Sequence, residues 1–393
     1  MNAKILDVSQ RSLHYEILEE KKLTYIMQGR TDNRALDIYH LILVPTHVCN
    51  LRCKHCYMPD HNKSLLPKDV VLRLIDEWNE IVLEERGFYG GIFHIKGGEP
   101  FITPYLSDII NKLVAMRSLR FMITTNGTFL NEDIFKQLYA CSNALDGRVT
   151  VIVSLDGNTE EINALLRGNG QFVKTLAFIK WLREHEINFH LNCVLHLGNV
   201  HKLSEYIIFA REHGATQVNF LYFVPRGIGS DFRDFQIPHL EAYRRLDTIY
   251  KNLDEETKEL LAGSFPYIKY KETQGYYRTS HECVAAYRGL FYITPNGNVY
   301  TCPNIVFPEF SMGNVFQQNL REISNGLSTL YERLKMHNAP YICTGEKVLY
   351  KRNCDQYNQK SLDRLQRELI IPEETLDISM NGTSKSYCFS RNW

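Results

Sequence analysis

The sequence predicts an α/β protein built as a partial (β/α)6 barrel with a C-terminal β-hairpin extension. Three observations predict it. From residue 41 to about 225, short β-rich runs alternate with longer amphipathic segments, the pattern of βα units around a parallel sheet. The strand candidates number six, which suits an open barrel better than a closed eight-unit one. Beyond residue 283 the alternation gives way to a strand, an Asn296-Gly297 turn and a returning strand, the signature of a hairpin.

The elements follow in order. Leu41–Val44 is the first strand and Lys68–Glu85 the first helix, with Leu72, Ile75, Trp78 and Val82 at helical spacing as its core face. Strands Ile92–Lys96, Arg120–Thr124, Val149–Ser154, Asn188–Leu195 and Gln217–Phe223 alternate with helices Tyr105–Met116, Glu132–Cys141, Phe172–His185 and Leu203–His213. Pro225-Arg226-Gly227-Ile228-Gly229 closes this region with a turn, and Leu240–Ala262 reads as one or two helices. The division is therefore an N-terminal segment 1–40, a barrel 41–225, a helical connection 226–282 and a hairpin domain 283–393.

Bulk properties bound the function. The chain has 393 residues, 44% of them apolar, enough for two domains and a large core. Lys+Arg and Asp+Glu are equal at 45 each, which removes a global electrostatic argument for nucleic acid or an anionic membrane. The N-terminus lacks an apolar signal core, and no run approaches the roughly 20 apolar residues of a membrane helix. A cytoplasmic location is the expectation. In a reducing compartment, ten cysteines point to metal or redox chemistry more than to disulfides.

The chemistry concentrates in Cys49-Asn50-Leu51-Arg52-Cys53-Lys54-His55-Cys56, a C-x3-C-x2-C loop directly after the first strand. Three thiolates on one tight loop hold three irons of a cubane cluster and leave the fourth iron open. A structural zinc is the other reading, with His47 or His55 as fourth ligand. Three more motifs fall at the ends of the next three strands. They are Gly97-Gly98-Glu99-Pro100, Thr125-Asn126-Gly127-Thr128 and Ser154-Leu155-Asp156-Gly157. Each alone reads as a turn. Together they occupy the C-terminal end of a parallel barrel, where active sites gather.

On these motifs, residues 41–225 resemble the core domain of radical S-adenosylmethionine (SAM) enzymes, a TIM-like partial barrel. The resemblance implies a [4Fe–4S] cluster on Cys49, Cys53 and Cys56, with SAM as ligand of the fourth iron and source of a 5′-deoxyadenosyl radical. It implies that the backbone of Gly97, Gly98 and Glu99 contacts the SAM amino group. It assigns Asn126 and Ser154 to ribose and carboxylate. Arg167, in Leu165-Leu166-Arg167-Gly168, resembles an arginine that pairs with the SAM carboxylate, a task suited to a planar bidentate donor. His55 holds the position where the family usually carries an aromatic residue near adenine. Leu195 lines the adenine or packs in the core.

The C-terminal cysteines extend the resemblance. Cys283 is followed by 13 residues, Gly297, four residues and Cys302; Cys343 and Cys354 stand 10 residues apart, and Cys388 lies near the end. This half resembles the SPASM or twitch extension, a hairpin module with auxiliary iron–sulfur clusters, although the compact four-cysteine block of a full SPASM is incomplete. The resemblance implies one auxiliary cluster, of the [4Fe–4S] type. Its ligands are Cys283, Cys302 and Cys354, with Cys343, Cys388 or an open site as the fourth. Cys141 and Cys193, inside the barrel pattern, read as core residues. The hairpin is expected to cover the C-terminal mouth of the barrel.

Proteins with this pairing commonly modify ribosomally made peptides by crosslinking or epimerisation. The resemblance thus implies a peptide maturase with a precursor peptide as partner and a flavodoxin or ferredoxin as electron donor. The alternatives are a dehydrogenase or epimerase of a sugar or other small molecule, an anaerobic sulfatase-type maturase, and a non-catalytic iron–sulfur scaffold. The first 40 residues are too few for the winged precursor-binding domain of many peptide maturases. The abstracting radical belongs to SAM, so no catalytic side chain is assigned.

Overall fold

The computed structural model describes residues 40–86, 91–116, 118–129, 131–145, 147–237, 239–261, 290–303 and 306–325. The segment 1–39, the stretch 262–289 and the cysteines Cys283, Cys343, Cys354 and Cys388 lie outside the described residues.

Six parallel strands form the barrel wall. They are β1 (His40–Leu43), β2 (Gly91–Ile95), β3 (Leu119–Thr125), β4 (Val149–Ser154), β5 (Phe189–Leu195) and β6 (Gln217–Tyr222). They neighbour one another in sequence order, as successive right-handed βα units require. Between them run α1 (Lys68–Arg86), α2 (Leu106–Ala115), α3 (Glu132–Ala144), α4 (Glu160–Arg167), α5 (Gln171–Glu184) and α6 (Leu203–Glu212). Two more helices, α7 (His239–Lys251) and α8 (Glu255–Leu260), follow β6. Helix α4 was not among the expected elements. Its signal is Thr159, whose hydroxyl caps the Ile162 amide ahead of an acidic first turn.

One side of every strand faces the helices and is apolar. Leu41, Leu43, Phe93, Ile95, Phe121, Ile123, Val151, Val153, Leu191 and Cys193 are all essentially inaccessible. Cys141 is likewise buried on α3. The core face of α1 is turned slightly from the expected one. Val71, Leu74, Ile75, Trp78, Ile81 and Val82 are buried, and Leu72 lies at the rim.

The hairpin is continuous with the barrel sheet. Its first strand, β7 (Leu290–Ile293), pairs parallel with β1, His40 opposite Leu290 and Leu43 opposite Ile293. It thus becomes the seventh strand of the barrel sheet. All four residues of β7 are buried, so the strand takes an interior place with a neighbour on each side. Strand β8 (Asn298–Tyr300) runs back antiparallel and β9 (Gly313–Asn314) completes a nine-stranded sheet. Gly297 at the turn has φ +81°, a conformation that glycine adopts without strain. A short helix, α9 (Leu320–Asn325), follows. Because Tyr300 lies opposite Tyr292, the chain after it returns toward the N-terminal end of β7. Tyr292 and Tyr300 nevertheless share a buried cluster with Met58, against which Cys56, Tyr57, Val306 and Phe310 pack, so the hairpin lies beside the cysteine loop.

Candidate active site

The cysteine loop is clamped from three sides by backbone hydrogen bonds. The amides of Gly98 and Glu99 donate to Thr46 O (3.0 Å) and Val48 O (2.8 Å). Lys54 N donates to Leu166 O at the end of α4 (2.8 Å), and Gly229 N donates to Cys56 O (2.9 Å). A Cβ on Gly98 would stand 2.0 Å from Val48 O. The glycine of the Gly97-Gly98-Glu99-Pro100 motif thus lets this turn press against the cysteine loop itself. Gly227 does the same on the far side, where a Cβ would stand 2.2 Å from Met58 O. The 225–229 turn, read from sequence as a simple closure, is a wall of the site.

Cys49, Cys53 and Cys56 are free thiols of intermediate exposure. Leu51 N points at Cys49 Sγ (3.4 Å), Asn126 Nδ2 lies 3.8 Å from the same sulfur, and His61 Nε2 lies 3.6 Å from Cys56 Sγ. Burial pushes the Cys53 thiol up to about 12, against the pull of Arg167; a bound metal supplies the charge that holds such a sulfur as thiolate. Both histidines of the zinc reading are turned elsewhere. His47 Nδ1 lies 3.3 Å from Asp60 Oδ1, and His55 Nε2 lies 3.4 Å from Asp156 Oδ2.

The other predicted residues divide into two groups. Ser154 stands half-exposed at the end of β4, opposite Asn192 of β5. Gly97 and Gly98 line the loop, and Asn126 bridges to it, donating from Nδ2 to Asn50 Oδ1 (2.9 Å) while Asn50 Nδ2 donates to Thr128 Oγ1 (2.9 Å). Glu99 and Leu195 turn inward. The Glu99 carboxylate accepts from Phe101 N (3.1 Å), Thr125 Oγ1 (2.7 Å) and Asn126 N (2.9 Å). It ties the second strand-end turn to the third. Burial raises its pKa to about 7, with the three donors holding it back. Leu195 is 1% exposed, on the side of its strand that carries Leu191 and Cys193.

Arg167 is the last residue of α4 and is buried against Asp156, Nε to Oδ2 at 2.6 Å. Asp156 was overlooked in the motif reading, although it stands in the Ser154-Leu155-Asp156-Gly157 run. It is fully buried. Oδ1 accepts from Val194 N (2.8 Å), its own amide donates to Asn163 Oδ1 (3.0 Å), and its carbonyl accepts from Asn199 Nδ2 (2.9 Å). Burial works against its charge, but Arg167 and His55 outweigh it and hold the carboxyl below its usual range. The His55 ring, packed edge-on to Phe223 (6.4 Å), is brought down to about 4 by burial.

Two families of proteins match the chain in sequence. The radical SAM superfamily matches residues 43–206, and the iron–sulfur cluster-binding SPASM domain matches residues 283–355. The chain thus carries a radical SAM domain followed by a SPASM domain. Among its relatives is the antilisterial bacteriocin subtilosin biosynthesis protein AlbA of Bacillus subtilis, 26% identical over 333 residues, 82% of this chain and 68% of AlbA. Mycofactocin maturase MftC of Mycobacterium ulcerans is 27% identical over 272 residues, 69% of each chain. The solved structure of native anSMEcpe with bound AdoMet shares the fold at a TM-score of 0.58 and 20% identity, covering 75% of this chain and 82% of that one. The protein is therefore an enzyme with [4Fe–4S] and SAM cofactors.

The residues present fit those groups. Beneath the loop, Arg167 Nε lies 2.6 Å from Asp156 Oδ2, and the buried His55 Nδ1 lacks a partner among the described residues. Buried polar atoms left this way are explained by a bound group. Cys49, Cys53 and Cys56 would hold the cluster on a loop against which the Gly97–Gly98 turn packs. Of the auxiliary ligand set, Cys302 alone is among the described residues; it is 3% exposed.

The inner face of the barrel below this site mixes polar groups with apolar ones such as Ile42 and Ile152. His40 Nε2 lies 3.1 Å from His94 Nδ1, and His94 Nε2 lies 2.7 Å from Thr124 Oγ1. Asn219 Nδ2 donates to Asn192 Oδ1 (2.8 Å). Lys96 Nζ lies over the rings of Tyr57 and Tyr292, 5.7 Å from each. Burial draws Lys96 down to about 8. Among the described residues no helix is long and apolar enough to cross a membrane.

Proposed function

We propose that this enzyme modifies a ribosomally made peptide, by crosslinking or epimerisation. One observation supports the substrate class. Thr124, Ser154, Asn192 and Asn219 are half-exposed on the inner barrel face, below the strand ends that carry the cysteine loop. Hydroxyls and carboxamides supply donors and acceptors together, which matches a peptide backbone. AlbA and MftC, a bacteriocin biosynthesis protein and a maturase by name, add support from kinship.

When bound, the cluster and SAM would supply the carbon-centred radical chemistry. The chain's part is placement. The Asn50–Asn126–Thr128 hydrogen bonds and the Gly98 turn fix the cysteine loop. Arg167 and Ser154 orient SAM by its carboxylate and ribose. Thr124, Asn192 and Asn219 hold the peptide beneath. A flavodoxin or ferredoxin delivers the electron, and the C-terminal cysteines hold an auxiliary cluster.

The test is anaerobic incubation of reconstituted enzyme, reductant and SAM with the short peptide encoded beside the gene. Mass spectrometry is expected to show loss of two hydrogens for a crosslink, or, for an epimer, deuterium uptake from solvent at unchanged bonding. Turnover of a free sugar with no reaction on the peptide overturns the reading.

A further inference from the structure

We propose that Asp156 is the positioning residue that couples Arg167 to the cysteine loop, so that the SAM-binding guanidinium and the cluster ligands are set by one buried carboxylate. The proposal rests on Arg167 as the partner of the SAM carboxylate. Its basis is geometric. A single oxygen, Oδ2, lies 2.6 Å from Arg167 Nε and 3.4 Å from His55 Nε2. His55 stands between two cluster ligands, Cys53 and Cys56. The other oxygen and the Asp156 backbone are anchored separately, to Val194, Asn163 and Asn199 on β5, α4 and the turn after β5. The carboxylate is therefore fixed from behind and presents one atom to both functional partners.

The neighbouring bond makes the same connection in the main chain. Leu166, the residue before Arg167, accepts from Lys54 N, the residue before His55 (2.8 Å). Two parallel ties thus join the end of α4 to the ligand loop. Buried, fully desolvated contacts of this kind transmit geometry because nothing else competes for the groups. Arg167 Nε lies 2.6 Å from Asp156 Oδ2, a close charge-assisted contact. An arrangement with SAM bound that turns the guanidinium is then felt at His55 through the shared oxygen.

The test uses the full-length, anaerobically reconstituted enzyme. Four variants are compared with wild type: Asp156→Asn, Arg167→Met, His55→Phe and, as a stability control, Leu182→Ala, a truncation in the α5 core. The measurements are iron content, thermal midpoint, SAM affinity, and the EPR spectrum of the reduced cluster without SAM. Arg167→Met should lose SAM affinity about tenfold or more, the loss of a hydrogen bond to a charged group. Asp156→Asn should lose affinity to a similar degree and also change the SAM-free EPR spectrum. Leu182→Ala should lower the thermal midpoint and leave affinity and spectrum alone.

Wild-type affinity together with a wild-type spectrum in Asp156→Asn overturns the proposal. Wild-type affinity in Arg167→Met removes Arg167 from the SAM site and overturns the coupling, while the family assignment stands. Should Asp156→Asn fail to fold, the double variant His55→Phe/Arg167→Met decides. Coupling through one oxygen predicts that its loss of SAM affinity departs at least threefold from the product of the single losses. Simple multiplication of the two overturns it.

Discussion

The two sides of the barrel sheet are built from the same strands and do opposite work. The helix-facing side is a continuous apolar layer, Leu41, Leu43, Phe93, Ile95, Phe121 and Ile123 among it, with exposures of 1% or less. The inner side alternates with it residue by residue and carries His40, His94, Lys96, Thr124, Ser154, Asn192 and Asn219. A parallel sheet covered on both faces normally shows apolar runs on both. The departure on one face marks where ligand is handled, since buried polar groups are costly unless they serve a purpose. Stability and function should therefore separate between the two faces.

The largest effect is expected on the apolar side. Trp78 is fully buried and donates from Nε1 to Ile92 O (3.2 Å). Trp78→Ala should cost about 3–5 kcal/mol in chemical denaturation. Any molecules that remain folded should bind SAM with ordinary affinity. A matched loss of SAM affinity in the folded fraction would break the separation.

Replacing Cys49, Cys53 and Cys56 together with Ala is the converse. Stability of the cluster-free protein should change by about 1 kcal/mol or less, because the thiols are only partly buried. Iron should fall from about eight per chain to about four, the auxiliary cluster alone. Iron at background in this triple variant would mean that the C-terminal cysteines hold none.

Glu99 sharpens the comparison because it is a mouth residue with a structural task. Its pKa rises on folding from 4.5 to about 7 through burial. The folded state therefore binds more protons than the unfolded chain between those values. The contribution of Glu99 to stability should be fully present below pH 4.5, be lost as pH rises toward 7, and be absent above it, opposite in sense to the buried histidines His40, His55, His94, His190 and His196. Glu99→Gln should remove that contribution from the slope. Urea titrations at several pH values check it, and an unchanged slope would place the titration elsewhere.

A small stability effect is also expected on the inner face. Thr124→Val keeps shape and removes the hydroxyl that meets His94. It should cost roughly 1 kcal/mol yet reduce product formation on a peptide substrate. Equal activity in this variant would remove Thr124 from the substrate surface.

Much of this was legible in the chain because it is local. Three cysteines within eight residues can meet one cluster whatever surrounds them. The alternation of strand and helix is also local, and the expected strands match the observed ones to within a residue at either end. The motifs at strand ends fell where the parallel barrel puts them. Partner choice was not local. Gly98 reads the same whether it approaches a cofactor or the backbone at Val48, and only the packed structure placed Val48 O against it. Glu99 was assigned with its motif, but its carboxylate went to Thr125 and Asn126, residues of the next turn. Asp156 looked like part of a turn until burial brought Arg167 and His55 to one of its oxygens. The four apolar residues Leu290–Ile293 fit many sheet positions, and pairing with His40–Leu43 across some 250 residues of chain was settled by the open edge of β1. Sequence spacing thus determined the chemistry the chain carries. The long-range contacts of tertiary structure, which leave no periodic trace, decided which atoms hold that chemistry in place.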